Sequence, residues 1–227
     1  MKPLGVIAGP NPESLPTYWN ELLAEVRFRA GRQRTPRLLI ETLDAADLAD
    51  LATPSPRTIG LVSAAAGRLE QQGAGLLLLA SNSFQPLAYQ LAELTPLPVI
   101  LMADATARKL AELGLSPVVV LGPATPAKQA HWAERLKQHR VGVVPADGVS
   151  REFINDILRR SDDVGPMPPD VRPALVRLSV ELSGRGARAI VLTDPRLRHL
   201  LPEAESMLPT VCAVQAHCVR AVELSLA

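Results

Sequence analysis

Two short polar clusters have side chains that could hold or transform a small ligand. They are Ser81, Asn82 and Ser83, and Thr193, Asp194 and Pro195. Hydroxyl and amide groups can hydrogen-bond a carboxylate, and a carboxylate such as Asp194 can act as a general base. Each cluster follows an apolar run with the length of a buried parallel strand. Because ligands bind beyond the carboxyl ends of such strands, we predict that Ser81 and Asp194 lie at a ligand-binding site.

Further candidates lie beside these clusters or after other predicted strands. Arg196 adds positive charge next to Asp194, and His217 lies in the last predicted helix. The predicted ligand-contacting residues are Asn82, Ser83, Pro10, Asn11, Pro123, Thr125, Arg196 and His217. A structural role stays open for two of the candidates, because Asp194 could bond its own turn and His217 could bond a nearby carbonyl.

An internal repeat organises the chain. The pairs that share a separation of 113 residues are Gly9 and Gly122, Trp19 and Trp132, Gly73 and Gly186, and Ser81 and Asp194. A period of this length is typical of two similar lobes and not of a solenoid. We therefore expect the two polar clusters to occupy equivalent places that face a common cleft.

Strand-like runs alternate with helical patterns along the chain. This alternation predicts an α/β fold with two pseudo-symmetric lobes, each a parallel sheet flanked by helices, with an active-site cleft between them. The predicted strands are 4–8, 38–43, 76–80, 97–102, 118–121, 141–144 and 189–192. The predicted helices begin at Ser14 or cover 58–72, 86–94, 105–113, 126–139, 150–160, 171–182 and 211–224. Asp104 is predicted to cap helix 105–113, and the proline-rich segment 161–170 to form a lid or hinge.

The composition disfavours several classes of partner. A net charge of +1 gives no overall field that would attract nucleic acid or a membrane surface, and 3% aromatic residues leave few platforms for stacking bases. No apolar run approaches about 18 residues and no leader pattern precedes the first strand, so we expect a cytoplasmic protein. Cys212 and Cys218 do not suggest a disulfide framework. We expect a small-molecule ligand, neither nucleic acid nor membrane as a partner, and leave a homodimer open.

Residues 27–37 stand out because they contain five arginines. Arginines at a helix end commonly lie in solvent, where they interact favourably with the helix dipole. A specific anion-binding segment is the alternative interpretation. The sequence leaves both open.

The order of these landmarks resembles the cofactor-independent aspartate/glutamate racemase family over nearly the whole chain. The matching segments are 4–9, Glu13 with Ser14, Gly73 with Ala74, 81–83, Pro98 with 104–107, Leu121 with Gly122, Gly186 with Ala187, Asp194, and Pro209 before His217. The resemblance implies two α/β lobes with the substrate between them, one formed by residues 1–100 plus 207–227 and the other by residues 101–206. It also implies that no cofactor and no metal is needed.

The sequence departs from that family at its reactive positions. The family usually carries one cysteine in each cluster, and the two thiols exchange a proton at the substrate's α-carbon from opposite faces. The resemblance therefore implies that Ser81 and Asp194 stand at the catalytic positions, and that Gln85 stands at the position of a nearby histidine. We therefore expect a protein that binds a small carboxylate or amino acid without being a competent two-thiol racemase. Two alternatives are an active isomerase, racemase or decarboxylase-type enzyme with Asp194 as a single base, and a non-catalytic binding or regulatory partner of an active homologue.

Overall fold

A computed structural model describes residues 1–9, 14–48, 55–81, 84–123, 125–162 and 170–227. The strands are β1 (Leu4–Ala8), β2 (Leu38–Thr42), β3 (Leu76–Leu79), β4 (Val99–Ile100), β5 (Val118–Leu121), β6 (Ala189–Leu192) and β7 (Thr210–Cys212). The helices are α1 (Ser14–Ala30), α2 (Pro56–Gln71), α3 (Gln85–Leu94), α4 (Met102–Glu112), α5 (Pro126–Gln138), α6 (Gly148–Asp162), α7 (Val171–Gly184), α8 (Pro195–Leu200) and α9 (Ala213–Leu226), and a short 3₁₀ helix covers Ala45–Leu48. The predicted lid at 161–170 falls mostly on residues 163–169, outside the described residues.

The strands form two parallel sheets. The first has the order β2-β1-β3-β4 and the second the order β5-β6-β7. Every strand pair is parallel. A single parallel bridge joins Val118 to Val143 beside β5, at the place that β2 takes beside β1. The prediction of an α/β fold with two parallel sheets flanked by helices is confirmed.

The chain divides into two compact units. The first unit contains Met1–Met102 and His217–Ala227, and the second contains Ala103–Ala216. The sequence predicts that the chain returns to the first lobe near residue 207, whereas this division places the return at His217. The intervening strand β7 pairs with β6 in the second sheet. In the described part of the chain, no helix has the length and apolar character needed to cross a membrane.

The internal repeat is visible in the backbone of both units. Gly73 and Gly186, which precede the central strands β3 and β6, both have a φ of 90°. Glycine adopts this left-handed conformation without the steric penalty of a Cβ. At both turns the glycine N–H donates to the carbonyl three residues earlier, and the next alanine N–H donates to the carbonyl five residues earlier. The two helix-to-strand turns are therefore the same structure made twice.

Each sheet is covered by its own apolar core. In the first unit α2 and α3 pack on β1 and β3, with the core residues Ile7, Val62, Leu69, Leu77, Leu79, Phe84, Leu87 and Leu91. In the second unit α6, α7 and α8 pack on β5 and β6, with the core residues Val119, Leu121, Ile154, Ile157, Leu175, Leu182, Ile190, Leu192 and Leu197. Helix α1 turns Tyr18, Leu22 and Val26 inward, at the spacing of one helical face. The strand ends are therefore held by packed cores on rigid elements.

Several local predictions need correction. Asp104 lies in the first turn of α4 and does not cap it, because the helix begins at Met102. Its carboxylate instead forms an ion pair with Arg135 at 2.8 Å. The predicted strand at 141–144 is reduced to the bridge at Val143, and the predicted strand at 97–102 is reduced to β4. The sequence pattern also shows no sign of α8, β7 or the 3₁₀ helix, which are too short to have a clear periodicity.

Candidate functional site

The first candidate position, Ser81, lies just beyond the carboxyl end of β3. Its residue is only 8% exposed, and its carbonyl accepts a hydrogen bond from the backbone N–H of Phe84 at 3.1 Å. A backbone hydrogen bond thus links Ser81 to the residue that directly precedes α3.

The side chain of Gln85 holds the backbone next to Ser81 through hydrogen bonds. Its amide nitrogen donates to the carbonyls of Leu79 at 3.0 Å and Ser81 at 3.3 Å. Its amide oxygen accepts from the backbone N–H of Met102 at 3.3 Å. Gln85 therefore hydrogen-bonds the backbone at the ends of β3 and β4. As an uncharged amide it cannot act as a base for the Ser81 hydroxyl.

His217 lies behind the same strand ends and is completely buried. Its Nε2 lies 2.7 Å from the carbonyl oxygen of Ile100, and its Nδ1 lies 2.9 Å from the hydroxyl of Tyr18. Because a carbonyl can only accept, Nε2 carries the proton and the Tyr18 hydroxyl donates to Nδ1 of the neutral ring. Tyr18 also approaches the carbonyl of Leu79 at 3.5 Å.

Burial determines the charge of this histidine. Desolvation lowers the pKa of His217 to about 4, and the hydrogen bond to the Ile100 carbonyl opposes this shift only in part. The ring is therefore neutral near pH 7, and both of its nitrogens have partners in the first unit. The predicted contact between His217 and a ligand remains a prediction, and it would require one of these hydrogen bonds to break.

The second candidate position, Asp194, is the N-cap of α8. Its Oδ1 accepts from the backbone N–H of Arg196 at 3.0 Å and from the Nε of Arg196 at 2.9 Å, and its Oδ2 accepts from Nη2 at 2.8 Å. Another guanidinium nitrogen donates to the carbonyl of Leu158 at 3.2 Å. Asp194 is 9% exposed, so this carboxylate is largely shielded from water. To accept a proton as a base, the Asp194 carboxylate would have to lose part of its bidentate ion pair with Arg196.

The ends of β5 and β6 touch closely beside Asp194. The backbone N–H of Thr193 donates to the carbonyl of Leu121 at 2.9 Å. A Cβ at Gly122 would lie 1.8 Å from the Thr193 Oγ1, so only glycine fits there. At the equivalent place in the first unit, a Cβ at Gly9 would lie 2.2 Å from the ring of Phe84. Both strand ends therefore depend on a glycine, but one meets a hydroxyl and the other an aromatic ring.

The remaining predicted residues divide by unit. Pro123 is half-buried after β5, and Thr125 is exposed and caps α5 by accepting from the backbone N–H of Lys128 at 3.3 Å. The predicted positions outside the described residues are Pro10, Asn11, Asn82 and Ser83. The structure brings Asp194 and Arg196 together, and it places Ser81 and His217 in the first unit.

Tyr18 was missed as a residue of the candidate site, and Gln85 was noted only as the residue at the position of a family histidine. Tyr18 lies on the inward face of α1, and a buried tyrosine hydroxyl needs a polar partner, which was the available signal. The two cysteines offer no thiol at the key positions. Cys212 lies in β7 and Cys218 in α9, and both are buried thiols that form no disulfide. The described residues contain no cluster of three or more histidine, cysteine or acidic side chains that could hold a metal ion.

Two similar units, each with a parallel sheet flanked by helices, define a duplicated α/β protein. Residues 7–221 match the model of the Asp/Glu/Hydantoin racemase family, and the chain belongs to this family. The resemblance inferred from the sequence is thereby confirmed.

Solved structures show the same fold. A candidate Asp/Glu racemase from Yersinia pestis is similar with a TM-score of 0.90 and 24% identity, each chain covered over 100%. An aspartate racemase homologue from Pyrococcus horikoshii OT3 gives a TM-score of 0.88 and 20% identity, again over 100% of both chains. The aspartate racemase of Picrophilus torridus gives 0.71 and 16% identity, over 99% of this chain and 94% of that one. At these identities the likeness establishes the fold alone.

Proposed function

We propose that this member of the racemase family binds a small carboxylate or amino acid at the carboxyl end of β3 and does not exchange protons through two thiols. The observation that carries the proposal is the pair of residues at the two equivalent strand ends. They are Ser81 and Asp194, and the carboxylate of Asp194 already holds the guanidinium of Arg196. Neither residue supplies a thiol.

Support for binding comes from the start of α3. The N-cap residue Phe84 makes no side-chain hydrogen bond to the first turn of α3, so Phe84 leaves the backbone N–H groups of that turn without a side-chain cap of its own. Helix N-termini attract carboxylates through such N–H groups and through the helix dipole. Ser81, next to this helix start, adds a hydroxyl. A ligand carboxylate therefore has a suitable place in the first unit.

Support against ordinary racemase chemistry comes from the side chains beside that place. A serine hydroxyl is a poor acid and needs an adjacent base to be activated as a nucleophile, and Gln85 is not one. Asp194 is engaged by its own helix and by Arg196. We therefore favour a binding or regulatory protein, which includes a partner of an active homologue, over an enzyme with Asp194 as its single base.

Hydrogen exchange separates these functions. The protein is incubated in D₂O with a panel that includes aspartate, glutamate and other amino acids, and loss of the Cα proton signal is followed by NMR. Thermal unfolding is measured with the same compounds. We expect no exchange and a ligand-induced rise in Tm for at least one carboxylate, which Ser81→Ala should reduce.

A matched pair of variants controls this experiment. Asp194→Asn removes the candidate base, and Asp147→Asn alters another aspartate that bonds a helix start and pairs with an arginine, but is exposed. Exchange that Asp194→Asn abolishes and Asp147→Asn preserves would establish the enzyme instead. A panel that leaves the Tm unchanged throughout would refute ligand binding.

A further inference from the structure

The basic turn, defined here as residues 27–37, joins the end of α1 to the start of β2. It is an ordered connection: the Gly31 N–H donates to the carbonyl of Arg27, and the Arg34 N–H donates to the carbonyl of Gly31. Gly31 has a φ of 106°, the left-handed conformation that commonly ends a helix. The Leu4 N–H then donates to the carbonyl of Arg37 at 2.9 Å, which ties the turn to β1.

Most of the positive charge on this turn is not neutralised. Arg29 pairs with Glu25 and Glu223. The other four arginines, all exposed, form no ion pair with any residue that the structure describes; they are Arg27, Arg32, Arg34 and Arg37. The chain as a whole carries a net charge of only +1, so this concentration is local.

An exposed aromatic side chain lies within the same turn. Phe28 is 83% exposed, the highest value among the large apolar side chains that are exposed in the described residues. Leaving a phenylalanine in water forgoes the stabilisation that burial of its ring would bring. The turn thus combines unpaired guanidinium groups with one protruding ring.

The basic turn is separate from the candidate ligand site. It precedes β2, and therefore lies at the amino edge of the first parallel sheet, whereas Ser81 follows the carboxyl end of β3. Charge at this edge does not contribute directly to holding a ligand at the start of α3. Another role is needed if the turn has a function.

We propose that the basic turn docks an acidic segment of a partner protein, with an apolar side chain of that segment packed on Phe28. Charge complementarity identifies the partner, since carboxylates bind guanidinium groups through paired hydrogen bonds. Arginine and aromatic residues are enriched in the energetically important parts of protein interfaces. A single-stranded nucleic acid would use several stacking rings, and a membrane would take up several apolar side chains on one face. Residues 27–37 provide one ring.

A binding assay with a defined probe tests this proposal. The probe is a labelled glutamate-rich peptide with one central leucine, and its binding to the whole protein is followed by fluorescence polarisation. We expect saturable binding that weakens as salt is raised, because exposed charges are screened. The double variant Arg32→Glu with Arg34→Glu should weaken binding by about tenfold or more.

Matched variants distinguish a docking surface from general charge attraction. Arg177→Glu with Arg188→Glu reverses two exposed arginines of the second unit and should leave binding nearly unchanged. Phe28→Ala should weaken binding of the leucine peptide by about tenfold, as expected for an interface anchor, but not binding of the same peptide with glycine in place of leucine.

Three results would overturn the proposal. They are no binding of the peptide at low salt, equal loss in the two double variants, and tighter binding of oligothymidine or of phosphatidylserine vesicles than of the peptide. All the substituted side chains are exposed, so we expect every variant to fold. Circular dichroism and Tm of each variant check that a loss of binding does not arise from unfolding.

Discussion

The two strand ends that the repeat makes equivalent differ in how the following helix begins. At the end of β6 the carboxylate of Asp194 caps α8 and pairs with Arg196. At the end of β3 the N-cap residue of α3, Phe84, provides no side-chain cap. One helix start thus holds a carboxylate of its own chain, while the other is not capped by the side chain of its N-cap residue. The duplicated backbone therefore carries two different helix starts.

The two units also differ behind these strand ends. In the first unit Tyr18 and the buried His217 form a hydrogen-bonded pair that reaches the backbone of β4. In the second unit the residue 113 positions after Tyr18 is His131, a partly buried side chain. Burial also lowers the pKa of His131. The first strand end is therefore braced by a buried polar pair whose partners come from distant parts of the chain.

Loss of the His217 ring should have the largest effect on the stability of the first unit. His217→Ala leaves the Tyr18 hydroxyl and the Ile100 carbonyl without this partner in the core and opens a cavity. We expect the free energy of unfolding of the first unit to fall by about 3 kcal/mol or more. Urea unfolding is followed by tryptophan fluorescence in a Trp132→Phe background, where Trp19 reports on the first unit.

The matched control is His199→Ala, which removes an exposed histidine of the second unit. It should change the unfolding free energy by less than about 0.5 kcal/mol, as exposed substitutions generally do. Equal effects of the two substitutions would show that the buried pair does not brace the first strand end.

Acid should lower the contribution of the buried Tyr18–His217 pair to folding stability. An unfolded histidine titrates with a pKa near 6.5, whereas His217 in the folded protein has a pKa of about 4. Between these values the unfolded chain binds a proton that the folded protein does not. Stability is therefore lost as the pH falls from about 6.5 to 4, by about 3 kcal/mol from this group.

Comparing the wild type with His217→Gln isolates this contribution from the other titrating groups. The stability difference between pH 7 and pH 4.5 should be smaller in the variant, with unfolding again monitored through Trp19. A variant that loses as much stability as the wild type on acidification would rule out His217 as the group responsible.

The fold was accessible from the sequence because its strongest signals are local and repeated. The turns at Gly73 and Gly186 and the apolar runs after them predict both central strands, and β3 and β6 lie where expected. The elements that were missed, α8 and β7, cover six and three residues and show no clear period. Their formation depends on tertiary packing, which a single sequence does not display.

The candidate site was accessible only in part. Ser81 and Asp194 follow their strands as predicted, but their roles depend on partners that the spacing does not reveal. The hydrogen bond between Tyr18 and His217 joins residues 199 positions apart. The pairing of Asp194 with Arg196 needs the start of α8, an element that was not predicted. Residue types therefore located the strand ends, and three-dimensional contacts determined what each could do.

Substituting the two strand-end glycines should change the unfolding free energy by an intermediate amount, and it tests how the two strand ends differ. Gly9→Ala and Gly122→Ala each force a Cβ into an occupied position, and we expect each to cost about 1–3 kcal/mol in unfolding free energy. Thr193→Ala should recover much of the loss at Gly122, because the nearest atom there is the Thr193 hydroxyl. No such recovery is expected for Gly9 with Phe84→Ala, since removing a buried ring leaves a cavity.

Gly60→Ala is the control for these measurements. This glycine lies on the exposed side of α2, and a Cβ added to it would meet no atom within 4 Å, so alanine should leave stability unchanged or raise it slightly. If Gly122→Ala were as harmless as Gly60→Ala, the close contact between the ends of β5 and β6 would not exist in solution.

The smallest expected effect separates the two roles of Asp194 at the second strand end. Asp194→Ala removes both the cap and the ion pair and should cost about 1–2 kcal/mol, while Asp194→Asn keeps a capping oxygen and should cost less. Urea unfolding in a Trp19→Phe background, where Trp132 reports on the second unit, measures both. At the first strand end Ser81→Ala removes no N-cap, because the N-cap of α3 is Phe84. Equal costs for Asp194→Asn and Asp194→Ala would assign the whole effect to the ion pair, and the difference between the two helix starts would then be one of charge and not of capping.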